Sequence, residues 1–207
     1  MIELQKGPEP EVLSKNAATW TSVVLEKIAK GEDPTATEKS HYRHHEIKDA
    51  LKSETFKKCA YCESIFLHTG FGHVEHITPK SSKPELSFKW ENLTLACEVC
   101  NINKGKKEVI DPYETNPDDH FTFEGPVIIP KPGSDLAFMS ETTLKLNRSE
   151  LIEYRKNRKN DLYYLVEALR KSTSEEKREA IAKIISEKIS KNAEYSAMMS
   201  HHARIYI

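Results

Sequence analysis

All four cysteines of this 207-residue chain fall into two Cys-x-x-Cys pairs, Cys59/Cys62 and Cys97/Cys100. A tight turn lets each pair present two sulfurs to one ion, and two pairs complete a closed tetrahedral zinc site with bonds of about 2.3 Å. Thirty-four residues separate Cys62 from Cys97, more than a simple ribbon needs, so the interval must hold structure of its own. It contains Val74-Glu75-His76-Ile77, and Asn101-Ile102-Asn103-Lys104 follows the second pair. A carboxylate, an imidazole and an amide are hard or basic groups, suited to a catalytic Mg²⁺ and its water rather than to the soft site. A redox dithiol is the alternative use of a Cys-x-x-Cys, and the use of every cysteine in two such pairs favours the metal. Zinc alone makes no enzyme, because many zinc ribbons only fold or bind.

Composition narrows the setting. Charged residues make up 30% of the chain and hydrophobic residues 38%, and no apolar run is long enough to span a bilayer. Met1-Ile2-Glu3-Leu4-Gln5-Lys6 lacks the apolar core of a secretory leader, so the expected location is the cytoplasm. In that reducing compartment paired cysteines favour zinc over disulfides. A formal net charge of -1 argues against a broad basic surface that grips nucleic acid unaided. The cations are nevertheless clustered. Lys80 and Lys83 follow the histidine, and Lys104, Lys106 and Lys107 follow the second cysteine pair, where phosphate contact and solvation are equally suited. Arg155, Lys156, Arg158 and Lys159 read as the solvated face of a later helix.

Helical periodicity predicts a helix from Pro10 to Lys30, with Val12, Leu13, Trp20, Val23, Val24 and Ile28 on its apolar face and Gly31 as its stop. A second helix is expected from Tyr42 to Leu51, burying Tyr42, Ile47, Ala50 and Leu51. Phe121-Thr122-Phe123 and Val127-Ile128-Ile129, set between prolines, read as short strands, and Leu136 to Met139 as another. From Ser149 onward the pattern is helical, broken at Ser172 to Ser174, where Thr173 or Ser174 can cap the next helix. His41 and His45 have the i, i+4 spacing of a metal pair without a Glu-x-x signature, which favours a surface or interhelix role. His201 and His202 read as a polar end.

His76 lies in His73-Val74-Glu75-His76-Ile77-Thr78-Pro79, whose alternation suggests a short strand. Taken alone, such a histidine is more readily a satisfied structural group. Its context is Glu75 beside it, Asn92 in Trp90-Glu91-Asn92-Leu93, and Asn101 directly after the last cysteine. In order, Cys-x-x-Cys, acid-His-Ile-x-Pro, Asn-Leu-x-x-x-Cys-x-x-Cys-Asn and a following lysine resemble the HNH, or ββα-metal, nuclease motif over about residues 59–107. The resemblance implies an α+β fold: a zinc-stapled ββα-metal core with N-terminal helices and a C-terminal helical region. It implies that His76 is the general base, that Asn92 orients the histidine-bearing loop, and that Glu75 and Asn101 hold the catalytic Mg²⁺ or Mn²⁺. Phosphodiester hydrolysis explains these residue types, since a neutral imidazole takes the water proton near pH 7 while a metal held by oxygens neutralises the leaving oxygen. Lys104 is placed by proximity at the scissile phosphate. Neighbours on a regular strand point to opposite faces, so Glu75 and His76 are expected to share a site only if the backbone is irregular there, and His73 is held in reserve.

The flanks narrow the resemblance. His45-Glu46-Ile47-Lys48-Asp49-Ala50-Leu51, Lys58-Cys59-Ala60-Tyr61-Cys62-Glu63, Asp111-Pro112, Asp118-Asp119-His120-Phe121 and Leu146-Asn147-Arg148 are similar to the HNH nuclease subunit of Septu-type and retron-associated bacterial anti-phage systems. That implies an ABC/SMC-like ATPase partner, a nuclease restrained until infection, and a nucleic-acid substrate, first of all DNA. An RNA-cutting effector acting on tRNA, and a zinc-ribbon binding module with an inactive nuclease core, remain the alternatives. The expected organisation is an N-terminal helical region at 1–56, the zinc-bound core at 57–110, short strands and loops at 111–148, and C-terminal helices at 149–207.

Overall fold

The computed structural model describes residues 1–206. Helix α1 (Glu11–Ala29) ends where Gly31 takes a positive φ of 73°. Only Leu13 and Val24 of its expected apolar face are buried, while Val23 and Ile28 are exposed. The second predicted helix starts later than its periodicity suggests. A single 3₁₀ turn at His41–Arg43 precedes α2 (His45–Glu54), because the His44 side chain caps α2 by accepting the Glu46 N–H. The turn takes His41 off the α2 face and stacks it on Trp20 at 4.5 Å, which dissolves the i, i+4 pairing with His45.

Strand β1 (His73–His76) pairs antiparallel with β2 (Leu93–Ala96), with Glu75 opposite Thr94 and His76 opposite Leu93. Helix α3 (Glu98–Lys104) follows directly, which completes a ββα unit. A second ribbon joins β3 (Phe121–Glu124) to β4 (Val127–Pro130).

The strand expected at Leu136 to Met139 is instead the start of α4 (Asp135–Leu144). Its Leu-Ala-Phe-Met run does not alternate, and Ala137, Ser140 and Leu144 are buried at helical spacing. Helices α5 (Ser149–Lys171) and α6 (Glu175–Ile189) follow, and Ser174 caps α6 by accepting the Lys177 N–H. The supposed polar end is a further helix, α7 (Ser196–Tyr206). In it His202 is buried and bonded through Nε2 to the Gly125 carbonyl at 2.8 Å. That carbonyl only accepts, so Nε2 carries the proton, and the bond ties α7 to the β3–β4 turn.

Two apolar clusters flank the ββα unit. One packs α1, α2 and Tyr42 against Val74, Phe88, Trp90, Leu93 and Leu95. The other packs the cysteines against β3, β4, α4 and the C-terminal helices. Phe66 is packed against both clusters. Beside it, Gly72 has φ +70°, and a Cβ there would stand 2.7 Å from the Phe66 ring, so only glycine fits the entry to β1. Lys58, 1% exposed, ties the first knuckle to the C-terminal region by donating to the carbonyls of Lys191 and Ala193 and to the Ser196 hydroxyl. No helix among the described residues is long and apolar enough to cross a membrane.

Candidate active site

The four cysteines are buried, and their sulfurs all lie within 4.8 Å of one another. Tetrahedral bonds of about 2.3 Å put neighbouring sulfurs about 3.8 Å apart. The Cys62 and Cys97 sulfurs are 3.8 Å apart, far longer than a disulfide. The donor set therefore fits a structural zinc, and Cys97 also accepts the Cys100 N–H at the start of α3. Arg148, ahead of α5, lies beside the cluster. Burial alone would lower its pKa, but the Cys62 and Cys100 sulfurs hold it above its usual value. A tetrathiolate around Zn²⁺ carries net negative charge, which this guanidinium offsets. The sequence singles out Leu146-Asn147-Arg148 as a motif but does not link Arg148 to the cysteines, because it lies far along the chain from them.

On the other side of the ββα unit is a cleft of about 470 Å³. Five consecutive residues from Gly72 to His76 line it, together with Asn101 and Gly105 from the end of α3. Glu75 and His76 both line this cleft although β1 pairs with β2 in regular register, so the irregular backbone expected from their adjacency is not seen. His73 lines the same cleft and is exposed.

His76 is 6% exposed, with Nε2 3.0 Å from the Ser87 carbonyl. A carbonyl only accepts, so Nε2 carries the proton and Nδ1 holds the free lone pair. The Tyr42 ring packs edge-on against the imidazole at 4.5 Å. Burial, aided by Lys80 and Lys104 and opposed by the Ser87 bond, lowers the His76 pKa to about 4, so the ring is neutral at pH 7. The loop that delivers Ser87 is pinned by Asn92. Its Oδ1 accepts the Thr78 N–H at 2.7 Å, and its Nδ2 donates to the carbonyls of Thr78 at 3.0 Å and Leu86 at 3.1 Å.

Glu75 is 7% exposed, and its Oε1 accepts from the Lys104 ammonium at 2.9 Å. Burial raises its pKa above the ordinary carboxylate range, with Lys104 pulling the other way. Asn101 is half-buried on the same cleft. One carboxylate oxygen and one amide oxygen are hard donors that suit Mg²⁺ or Mn²⁺ completed by water and phosphate oxygens. The residues present therefore fit a catalytic divalent ion.

Lys104 requires a correction. It is 0% exposed, and its ammonium is shared between Glu75 and the His76 carbonyl at 2.7 Å, not offered to a phosphate. It is the last residue of a short helix packed on β1, so its stem runs inward. Tyr42, Arg43 and Lys48, from the segment before the first cysteine, line the cleft and were not singled out for it from the sequence. No local pattern signals them, because only folding brings this segment to the cleft that β1 lines. Asp111 and His120 lie outside this cleft. Asp111 accepts the Tyr113 N–H at 2.9 Å, and His120 Nδ1 is 2.7 Å from the Ser134 hydroxyl.

Residues 59–107 match the family model described as HNH endonuclease. The chain is 29% identical over 196 residues to the Septu protein PtuB of Bacillus mycoides (strain KBAB4), an alignment covering 75% of this chain and 66% of that protein. It is 36% identical over 80 residues to the Septu protein PtuB of Bacillus thuringiensis, covering 36% of this chain and 31% of that protein. The chain thus spans slightly less than two thirds of the first relative's length and under a third of the second's. The likeness to the first Septu protein extends well beyond the residues that match the HNH endonuclease model.

Proposed function

We propose that this chain is a metal-dependent endonuclease that hydrolyses DNA phosphodiester bonds as the effector of a Septu-type anti-phage system, working with an ABC/SMC-like ATPase partner. The observation that carries the reading is the state of His76: neutral, proton fixed on Nε2 by Ser87 so that Nδ1 keeps the lone pair, in a residue that lines one cleft with Glu75 and Asn101. In this reading His76 Nδ1 takes the proton from the attacking water. Asn92 keeps the Thr78–Ser87 loop, and with it the imidazole, in position. Glu75 and Asn101 supply the protein oxygens for the metal, and Lys104 holds the Glu75 carboxylate in place. A bound divalent ion supplies charge neutralisation at the phosphate and the leaving oxygen. The likeness to the Septu proteins supports the defence setting, and the near-neutral chain charge is consistent with a partner that shares the grip on nucleic acid.

The test is digestion of supercoiled plasmid and of total tRNA with Mg²⁺ or Mn²⁺, wild type against His76→Ala, with and without the ATPase. Plasmid cutting lost in the variant is expected. Cutting of tRNA alone would move the substrate to RNA. Binding without cutting in any wild-type reaction would leave a zinc-stapled binding module instead of an enzyme.

A further inference from the structure

The chain as a whole carries a net charge of -1, yet its cleft does not share that balance. Arg43, Lys48, Lys80 and Lys106 line it, and Glu75 is the one carboxylate among the lining residues. Glu75 is already neutralised by Lys104. Among the described residues, no carboxylate lies within ion-pairing distance of those four cations, so the cleft's positive charge is not cancelled within the chain. Lys80 does bond the Tyr42 hydroxyl at 3.1 Å, and its ammonium stands 4.4 Å over the Tyr42 ring. Lys48 is half-buried, and burial together with Lys52 lowers its pKa. Unpaired cations converging on a concave surface are unfavourable for folding, because they repel one another and lose solvent. A polyanion relieves both costs.

The origin of these cations is informative. Lys80 and Lys106 belong to the HNH domain, whereas Arg43 and Lys48 come from the 3₁₀ turn and α2 that precede it. The same segment places the Tyr42 ring against His76. We propose that residues 41–54 are the second jaw of the substrate site, with Arg43 and Lys48 contacting backbone phosphates that flank the scissile one, opposite Lys80 and Lys106. This rests on the nuclease reading of the same cleft and adds to it: the isolated HNH domain holds only half of the substrate contacts. Lys104 has no part in the track, since it is sealed inside.

The readout is the salt dependence of binding. Each phosphate contact contributes about 0.9 to the slope of log K against log salt on duplex DNA, and about 0.7 on single strands. Binding of a fluorescein-labelled DNA duplex, and of total tRNA in parallel, would be titrated with full-length His76→Ala at several salt concentrations. Arg43→Gln with Lys48→Gln in that background is expected to lower the slope on the bound probe by about 1.4 to 1.8. Lys156→Gln with Lys159→Gln, on α5 and outside the cleft, is expected to leave it unchanged. Thermal melting checks that each variant folds, and single substitutions replace the pair if the pair does not. An unchanged slope in the jaw variants overturns the proposal. So does a loss of slope in the α5 variants instead, and so does an absence of binding to both probes. The two readings fail separately. Plasmid cutting by wild type with no slope change removes the jaw and leaves the nuclease, whereas a slope change with no cutting by wild type keeps the jaw and removes the nuclease.

Discussion

Replacing Asn92 by alanine tests the link between loop architecture and catalysis. The side chain is 6% exposed and makes three hydrogen bonds, one accepted from the Thr78 N–H and two donated to the Thr78 and Leu86 carbonyls. At about 1 kcal/mol net per bond the loss is about 3 kcal/mol, and water reaching the half-buried Thr78 and Leu86 sets a range of about 2 to 4. Guanidinium denaturation of the zinc-loaded protein, followed by tryptophan fluorescence, reports it well, because Trp90 is buried two positions away. The same loop delivers the Ser87 carbonyl to His76, so plasmid cutting should fall on the order of 10²-fold through misplacement of the base. Asn92→Asp sharpens the test. It keeps an acceptor for the Thr78 N–H but turns a carboxylate toward two carbonyls, which raises its folded pKa. A raised pKa means that the variant's stability is full below the unfolded value of about 4 and is lost as pH rises from there through the raised folded value. A shift below about 0.5 kcal/mol in the alanine variant, or full cutting by it, would refute the reasoning.

Other perturbations probe the remaining parts. His76 has a folded pKa of about 4 against 6.5 unfolded, so its contribution is present above 6.5 and is lost as pH falls toward 4. Unfolding measured across that window should lose about 3 kcal/mol, and His76→Ala should flatten the curve. His202, lowered by burial, acts in the same direction. Lys104→Met leaves Glu75 buried and unpaired and should cost about 3 to 5 kcal/mol. Adding Glu75→Gln should recover part of that stability, and a strictly additive double variant would show that the pair is not coupled. Cys59→Ser or Cys97→Ser should abolish zinc binding and unfold the module; a soluble, zinc-free, active variant would contradict the structural-zinc reading.

What the sequence revealed follows from how locally each feature is encoded. The zinc site and the ββα order are written in contiguous motifs, and the structure brings the four sulfurs together. Helices α5 and α6 were legible because their apolar stripes extend over several turns. The α4 error came from four apolar residues with no clear period, a length at which a strand and a helix read alike. Helix α7 falls within the C-terminal helices expected at 149–207 but was not picked out individually, because its buried face of Ser196, Ala197, Met198, Met199, His202 and Ala203 lacks the usual aliphatic stripe.

The candidate site was legible in its residue types but not in its connections. A lysine three positions after Asn101 reads as available for phosphate, because nothing in the local sequence says which way its stem runs. Only the packing of α3 on β1 shows that its charge is spent on Glu75. The opposite error applies to Arg43 and Lys48, which read as ordinary helix-surface cations until the fold brings them to the cleft that Gly72 to His76 line. The two cases share a cause. A lysine or arginine can bury its stem or extend it, and its role depends on whether a carboxylate lies within reach in the fold. Lys104 has one; Arg43, Lys48, Lys80 and Lys106 do not. The positive charge available to a substrate is therefore decided by which cations the fold leaves unpaired. In this chain four unpaired cations line the cleft that holds His76, and the one carboxylate among its lining residues is paired with Lys104, which is why a protein with a net charge of -1 can still present a cationic site to a polyanion.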